Sequence, residues 1–224
     1  MRFDLHIHSA HSRDSGSPID SILAHAVDIG LDGIAICDHD TVKGGLAGEE
    51  RAKKLNLPLI VIPGVEITTT KGHIIALGVR EDIPAKKTPE ETIAHIRKLG
   101  GVVVVPHPFK RLSHGIGDFS GLDVDAVEIF NSRFITKEAN RKAGRVALEM
   151  GIPAVSGSDA HAVPMIGYAV TEIAAEPNLP AVLDAIRDGK TRVHGKRTPP
   201  RIFAAQMVRG WFRRVKEILG IRVK

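Results

Sequence analysis

The sequence predicts an α/β protein whose mostly parallel sheet closes toward a barrel. Three features carry that expectation. Short β-branched runs alternate with amphipathic runs along most of the chain, as strands joined by crossover helices do. Several runs, Val102–Val105 above all, are apolar at every position, as a strand covered on both faces must be. Residues able to do chemistry recur where the runs end, and in such barrels that is where chemistry is placed. A chain of 224 residues is long enough for one domain of this kind.

The elements follow in order. Arg2–His6 reads as a strand. Asp20–Gly30 is an amphipathic helix, with Ser17 and Pro18 as cap and first turn. Gly33–Cys37 is the second strand and Leu46–Leu55 the second helix. Leu57–Ile67 holds a third strand, with a break expected at Pro63-Gly64. His73–Val79 is a fourth strand, with no room for a helix before it. Pro89–Leu99 is helical, with Thr88 as N-cap. Val102–Val105 and Val124–Phe130 are strands, and Lys137–Met150 is a helix. Ala154–Ser156 and Ala169–Ile173 complete the strands, and Leu179–Arg187 is a helix.

Composition excludes several classes. Hydrophobic residues make up 43% and charged residues 25%, which rules out a disordered or fibrous chain. No apolar run approaches the ~18 residues of a membrane span. The opening, MRFDLHIH, lacks the apolar core of a secretory signal. The single cysteine, Cys37, cannot form an internal disulfide and reads as a core residue. A reducing cytoplasm is the expected location.

The net charge of +5 hides an asymmetry. Lys190–Lys224 holds 11 Lys or Arg against one acid, Glu217, a balance of +10, while the remainder holds 20 bases and 25 acids, a balance of −5. The chain therefore divides into a body over 1–192 and a basic tail over 193–224. In the tail, Ala204, Val208, Trp211, Val215 and Ile218 share one stripe of a helix, widened by Phe212 and Leu219. That stripe is expected to dock on the barrel or on a second subunit. Nucleic acid or a membrane surface are the alternatives for a basic helix of this kind. Aromatic residues make up only 4%, which argues against an extended base-stacking surface.

Six of the eleven histidines lie at strand ends or starts: His6, His8, His39, His73, His107 and His161. Asp159 lies between the last strand end and His161, and Glu66 lies in the third strand near its end. A lone histidine there would be ordinary, but convergence on one end of one sheet points to metal. His25 and His95 read as helix residues outside the sheet. Imidazole with carboxylate and no thiolate suits Zn²⁺, Mn²⁺ or Fe²⁺. The ligands are too many for one tetrahedral ion, so at least two ions are expected, and a carboxylate such as Glu66 can bridge them. Paired ions activate water and clamp the oxygens of an in-line displacement at phosphorus. Lys110, Arg111 and Arg133 follow strands on the same side and are the candidates for gripping a phosphate.

At these residues the sequence resembles the PHP family, named for polymerase and histidinol phosphatase. The likeness runs from about Met1 to Arg192, through DLHIHSAHSRDS at Asp4–Ser15, CDHDT at Cys37–Thr41, PGVEIT at Pro63–Thr68, GHIIALG from Gly72, VVPHPF at Val104–Phe109 and SGSDAH at Ser156–His161. The resemblance implies a distorted (β/α)7-type barrel with a trinuclear centre. It implies that His6, His8, Glu66 and Asp159 hold one ion. Glu66, His73 and His107 would hold a second, and Asp14, His39 and His161 a third. Asp38 and Asp40 would then orient imidazoles. Only 33 residues separate His73 from His107, too few for the helical lid that many small-molecule phosphoesterases of this kind insert there, so an open site is expected.

The function expected from all this is phosphate-ester hydrolysis by a metal-bridging hydroxide, with two or three divalent ions (Mn, Zn or Fe) as cofactors. The substrate class is a phosphorylated small molecule or nucleotide, with nucleic acid brought in by the tail as a further partner. Arg133 or Lys110 would hold a non-reacting oxygen, and a metal-bound water or a site histidine would protonate the leaving group. Two rivals are an amidohydrolase-type metal enzyme and a non-catalytic binding module. The absence of a clear bridging lysine argues against the first, and the complete ligand set argues against the second.

Overall fold

The computed structural model describes residues 1–110, 114–133 and 137–218, with side chains as far as 212 except at 209. The elements in order are β1 (Arg2–Ile7), α1 (Ile19–Asp28), β2 (Gly33–His39), α2 (Lys43–Lys54), β3 (Ile60–Thr68), β4 (His73–Leu77), α3 (Pro89–Lys98), β5 (Val102–Val105), β6 (Ala126–Asn131), α4 (Glu138–Met150), β7 (Ala154–Gly157), β8 (Ala169–Ile173), α5 (Leu179–Arg187), β9 (Thr191–Gly195) and α6 (Pro200–Ile218). Among the described residues the strands form one sheet in the order β7-β6-β5-β4-β3-β2-β1-β8-β9.

This sheet curls into a nearly closed barrel. Ile7 at the end of β1 bridges Ala160 just past β7. The Ser156 N–H donates to Thr171 Oγ1 of β8 at 2.8 Å, and Thr191 Oγ1 donates to the Ala154 carbonyl at 2.8 Å. One buried apolar cluster takes residues from every strand from β1 to β8, Phe3, Ala35, Ile62, Leu77, Val104, Ala126, Val155 and Ile173 among them. Val182, Leu183 and Ile186 of α5 complete it. Contact with eight strands at once makes this cluster the barrel interior. The α/β barrel expected from the alternation is thus present.

The sheet is less parallel than expected. β1–β2, β2–β3, β5–β6 and β6–β7 are parallel, whereas β3–β4, β4–β5, β1–β8 and β8–β9 are antiparallel. The connections explain it. Thr69–Gly72 is a tight turn closed by the Thr69 N–H to the Gly72 carbonyl at 2.8 Å, so β4 must return beside β3. Between β7 and β8 there is only a short 3₁₀ turn, Val163–Met165, and no crossover helix.

Packing also overrode local propensity in two places. The expected break at Pro63-Gly64 is absent, and β3 pairs with β2 without interruption from Ile60 to Glu66. Pro63 sits past the last β3–β4 pair, Gly64 with Leu77, where a missing N–H costs no rung of the ladder. Helix α2 starts at Lys43, three residues before the expected Leu46. Gly44 and Gly45 are poor helix formers. However, a Cβ on Gly45 would lie 2.8 Å from Pro63 Cα and 2.9 Å from Gly64 N, so only glycine lets this helix rest on the β3 backbone.

α3 is the most conventionally capped helix. Thr88 accepts from the Glu91 N–H at 3.2 Å while Glu91 accepts from the Thr88 N–H at 2.9 Å. It is the one helix between His73 and His107, and no lid is inserted there.

The C-terminal region departs further from expectation. β9 was not anticipated, because it is a short, largely exposed edge strand without apolar alternation. It pairs with β8 from Thr191 to Gly195, so the expected boundary at residue 192 falls inside a strand. α6 meets the body through Ile202 and the buried Gln206. Ala204, Val208 and Trp211 of the expected docking stripe are exposed, with Trp211 at 61%. The face that meets the barrel is offset by two residues, about 200° round the helix, which leaves the described residues of the expected stripe free for the second-subunit alternative. The side chains of Val215 and Ile218, and Leu219 entirely, lie outside the described residues. No described helix is long and apolar enough to cross a membrane.

Candidate metal centre

The C-terminal ends of the parallel strands and the N-terminal start of antiparallel β4 lie at the same end of the barrel, and the candidate ligands come from there. His6 and His8 end β1 and follow it. His39 ends β2, directly in register with Glu66 of β3. His73 opens β4, where it pairs with Thr68. His107 follows β5, and Asp159 and His161 follow β7. Two of these residues depart from ordinary backbone: His107 has φ +30° and Asp159 φ +52°. For side chains other than glycine that costs on the order of 1–3 kcal/mol, a strain that concentrates at functional sites.

Glu66, 1% exposed, is the hub. Its Oε1 lies 2.9 Å from His73 Nδ1 and 3.0 Å from His107 Nε2. Its Oε2 lies 3.2 Å from His8 Nε2, 3.3 Å from His6 Nε2 and 3.4 Å from His39 Nδ1. Asp14 stands at the rim, with Oδ2 2.9 Å from His161 Nε2 and 3.4 Å from His39 Nε2. Asp159 Oδ1 lies 3.6 Å from His8 Nε2 and 3.3 Å from His161 Nδ1. All nine residues expected to ligate metal therefore lie in one continuous cluster.

Four groups within it bring ligand atoms close enough for an ion: His8, Asp14, His39 and His161; His6, Glu66 and His107; His6, His8 and Asp159; and His39, Glu66 and His73. They overlap, and they divide the ligands differently from the three sets the resemblance implied: His8 lies with Asp14, His39 and His161 as well as with Asp159.

One further observation fits a cation. His6 Nε2 and His8 Nε2 point at each other 3.1 Å apart. Nitrogens crowded on one another are what a shared metal ion relieves. Buried His73 Nε2 and His107 Nδ1, the ring nitrogens other than those that meet Glu66, have no hydrogen-bond partner.

The electrostatics agree. Burial alone would raise the Glu66 carboxyl, yet the imidazoles of His73, His39 and His6 hold it well below the usual carboxylate range. Burial opposes the charge on Asp159 too, and Lys110 and Arg133 hold it well below its usual range. Burial would lower His39, but Glu66 and Asp14 push it up to about 9. Unpaired charge at this depth is very costly, so carboxylates and cations here stabilise each other.

Asp38 and Asp40, expected to orient imidazoles, do other work. Asp38 accepts from the Ser9 N–H and the Ser9 hydroxyl, both at 2.6 Å, and ties down the loop after β1. Asp40 accepts from the Thr68 N–H at 2.7 Å and the Thr68 hydroxyl at 3.0 Å, and ties the loop after β2 to β3. Each lies nearest a backbone donor that it satisfies, so neither turns toward a ring. The orienting carboxylate is Glu128 of β6, which sequence reasoning missed. Its Oε1 lies 3.2 Å from His6 Nδ1, and its Oε2 accepts from the His107 N–H and from Asn131 Nδ2, both at 2.9 Å. A lone acid inside the apolar run Ala126–Phe130 was its signal. Ser12 is a second such residue: its hydroxyl donates to Asp14 Oδ1 at 2.9 Å.

Of the three candidate phosphate-binding residues, two reach the cluster. Lys110 Nζ lies 3.0 Å from Asp159 Oδ2, and Arg133 Nη1 lies 3.3 Å from Asp159 Oδ1. Arg111 lies outside the described residues. His114, not singled out from the sequence, stacks on His73 at the mouth with ring centroids 5.1 Å apart.

A nearly closed α/β barrel with imidazoles gathered round a buried carboxylate at one end belongs to the metal-binding barrels. Within that class the chain belongs to the PHP family: it matches the PHP domain over residues 4–115 and the PHP-associated region over residues 137–191. It is 38% identical over 143 residues to an uncharacterized protein of Methanocaldococcus jannaschii, covering 59% of this chain and 82% of that one. It is 34% identical over 88 residues to the phosphoribosyl 1,2-cyclic phosphate 1,2-diphosphodiesterase of Eggerthella lenta, covering 37% of this chain and 32% of that enzyme. Among solved structures, a two-domain protein from Bacteroides vulgatus containing a predicted PHP-like metal-dependent phosphoesterase superposes with a TM-score of 0.74 at 18% identity, over 88% of this chain and 65% of that one. That likeness bears on the fold.

Proposed function

We propose that the protein is a metal-dependent phosphoesterase acting on phosphate mono- or diesters. One observation carries the reading: a buried imidazole–carboxylate cluster fit for cations opens onto an aspartate flanked by Lys110 and Arg133. The first half suits divalent metal and the second suits an anionic ester. The diphosphodiesterase relative supports the same reaction class.

The residues proposed to hold two or three ions are His6, His8, Asp14, His39, Glu66, His73, His107, Asp159 and His161. With no thiolate among them, Mn²⁺, Zn²⁺ and Fe²⁺ are the suited metals. Ions bound there would supply Lewis acidity and an activated water for displacement at phosphorus. The chain's own groups do the rest. Glu128 fixes the His6 ring through Nδ1 and the His107 backbone through its N–H. Arg133 and Lys110 exchange part of their contact with Asp159 for the ester's non-reacting oxygens, and a guanidinium can do so with two parallel hydrogen bonds. The absence of a lid between β4 and β5 admits esters of varied size.

The test is metal analysis of the purified protein followed by assays on an aryl phosphate, a bis-aryl phosphodiester and an aryl amide. Expected are bound transition metal, hydrolysis of a phosphate ester, loss of it to a chelator and recovery with Mn²⁺ or Zn²⁺. Hydrolysis of the amide alone would move the protein to the amidohydrolase class. Ester hydrolysis indifferent to chelation would overturn the proposal.

A further inference from the structure

A cavity of about 530 Å³ opens beside the cluster, and neither the ligands nor the barrel core accounts for it. One wall is the turn after β6, Ser132 and Arg133. The other is the segment after β9 and the first turn of α6, with Arg197, Pro200 and Phe203. The walls are joined by hydrogen bonds. The Thr198 N–H donates to the Ser132 carbonyl at 2.9 Å, the Ser132 and Thr198 hydroxyls are 2.9 Å apart, and Ser132 Oγ donates to the Ser158 carbonyl at 3.1 Å. The segment beyond β9 is thus held against the residue that precedes Asp159.

Arg133 belongs to both places. It lines the cavity, and its Nη1 lies 3.3 Å from both Asp159 Oδ1 and His161 Nε2. A phosphate ester gripped by Arg133 at the cluster would direct its alcohol portion into this space. The space is within the ~300–1,000 Å³ usual for small-molecule sites. Its chemistry is of two kinds: guanidinium groups, Arg133 from one wall and Arg197 from the other, and the ring of Phe203 with proline. Phe203 is one of only nine aromatic residues in the chain, counting seven Phe, one Trp and one Tyr. A flat, heteroaromatic group joined to a phosphate matches both halves. A plain sugar phosphate has only C–H edges, and no flat π-face, to set against the ring.

We infer that this cavity receives the nucleoside of a nucleotide whose phosphate lies at the metal centre, with Phe203 stacking on the base. The inference rests on the phosphoesterase reading and narrows its substrate class. It gives the first turn of α6 a part in selecting substrate. A free mononucleotide and a 5′-phosphorylated oligonucleotide end share the recognised chemistry.

The test uses the full-length protein. Calorimetry compares AMP with ribose 5-phosphate binding to the protein as purified, in wild type, Phe203→Ala and Phe203→Tyr. The ratio of kcat/KM for AMP over glycerol phosphate is measured in parallel. Stacking of one base predicts about a tenfold preference for AMP, lost in Phe203→Ala and kept in Phe203→Tyr, in both measurements. A 5′-phosphorylated dinucleotide separates the sources: affinity equal to AMP marks a mononucleotide site, and tighter binding marks an oligonucleotide end. Equal binding of AMP and ribose 5-phosphate, or a preference that survives Phe203→Ala, overturns the inference. If the binding preference holds and no ester is hydrolysed, the phosphoesterase reading fails while the nucleoside cavity stands.

Discussion

Arg133 Nη1 lies 3.3 Å from Asp159 Oδ1, an ion pair between a guanidinium 18% exposed and a carboxylate 3% exposed. One partner faces the mouth and the other the buried cluster, so the pair joins solvent-side recognition to the metal-type site. Arg133→Ala is expected to lower kcat/KM on a phosphate ester by about 10–100-fold, the effect of one or two hydrogen bonds to a charged group. Lys110→Ala should cost less, because an ammonium offers no fork to two phosphate oxygens. Steady-state kinetics on one aryl phosphate checks the order, and a larger loss from Lys110→Ala would reverse the roles.

Glu66→Gln keeps the volume of the hub and removes its charge. Five imidazoles lie within 3.4 Å of that carboxylate. Activity should fall by more than about 100-fold, beyond the ~10–100-fold typical of losing a partner one bond further from a metal. Far-ultraviolet circular dichroism should stay near wild type while metal content drops. Full metal occupancy in this variant would argue against Glu66 as a bridge.

The pH dependence of the metal-free protein follows from His39, pushed up to about 9 by Glu66 and Asp14, and from His6, raised well above its usual value by Glu66 and Glu128. A histidine whose folded pKa is raised contributes stability that is complete below its unfolded value, near 6.5, and is lost as pH rises through the folded value. The chelated protein should therefore lose thermal stability between about pH 6.5 and 9. With metal bound, the same rings must be deprotonated, so affinity should rise with pH and binding should release protons. Thermal scans with and without chelator, and calorimetry in two buffers, read both effects. A flat profile for the chelated protein in that window would contradict the first.

Thr88→Ala removes one half of the capping box of α3. It should cost about 1 kcal/mol and lower Tm by ~2–4 °C for a chain of this size. Activity on a small ester should not change. A wild-type Tm would mean that packing of Ile93 and Ile96 holds the helix without its cap.

Gly45→Ala tests the contact that α2 makes with β3. Its Cβ would meet Pro63 Cα and Gly64 N at 2.8 and 2.9 Å. Overpacking of this kind costs ~1–3 kcal/mol. Thermal denaturation measures it, although alanine is the better helix former. A stabilised variant would mean that α2 can retreat from the sheet.

Much of this protein is legible in its sequence. The extents of β5, β8 and α5 follow from local pattern, because an apolar run or a helical stripe is a property of adjacent residues. Eight of the nine ligand candidates were legible because imidazoles and carboxylates at the ends of successive strands have one destination in a barrel, and Asp14 was implied only by the resemblance to the PHP family. Other features depend on which strand lies beside which, and only the tertiary structure decided them. Among them are the antiparallel return of β4 and β8 and the edge strand β9. The turn of Asp38 and Asp40 toward Ser9 and Thr68, and the hold of Glu128 on His6, are of the same kind. So is the cavity between the β6 turn and α6, whose walls lie more than sixty residues apart in sequence and meet through Ser132 and Thr198. A carboxylate satisfies the nearest donor, and nearness across a barrel is set by how the sheet closes, not by the order of the chain.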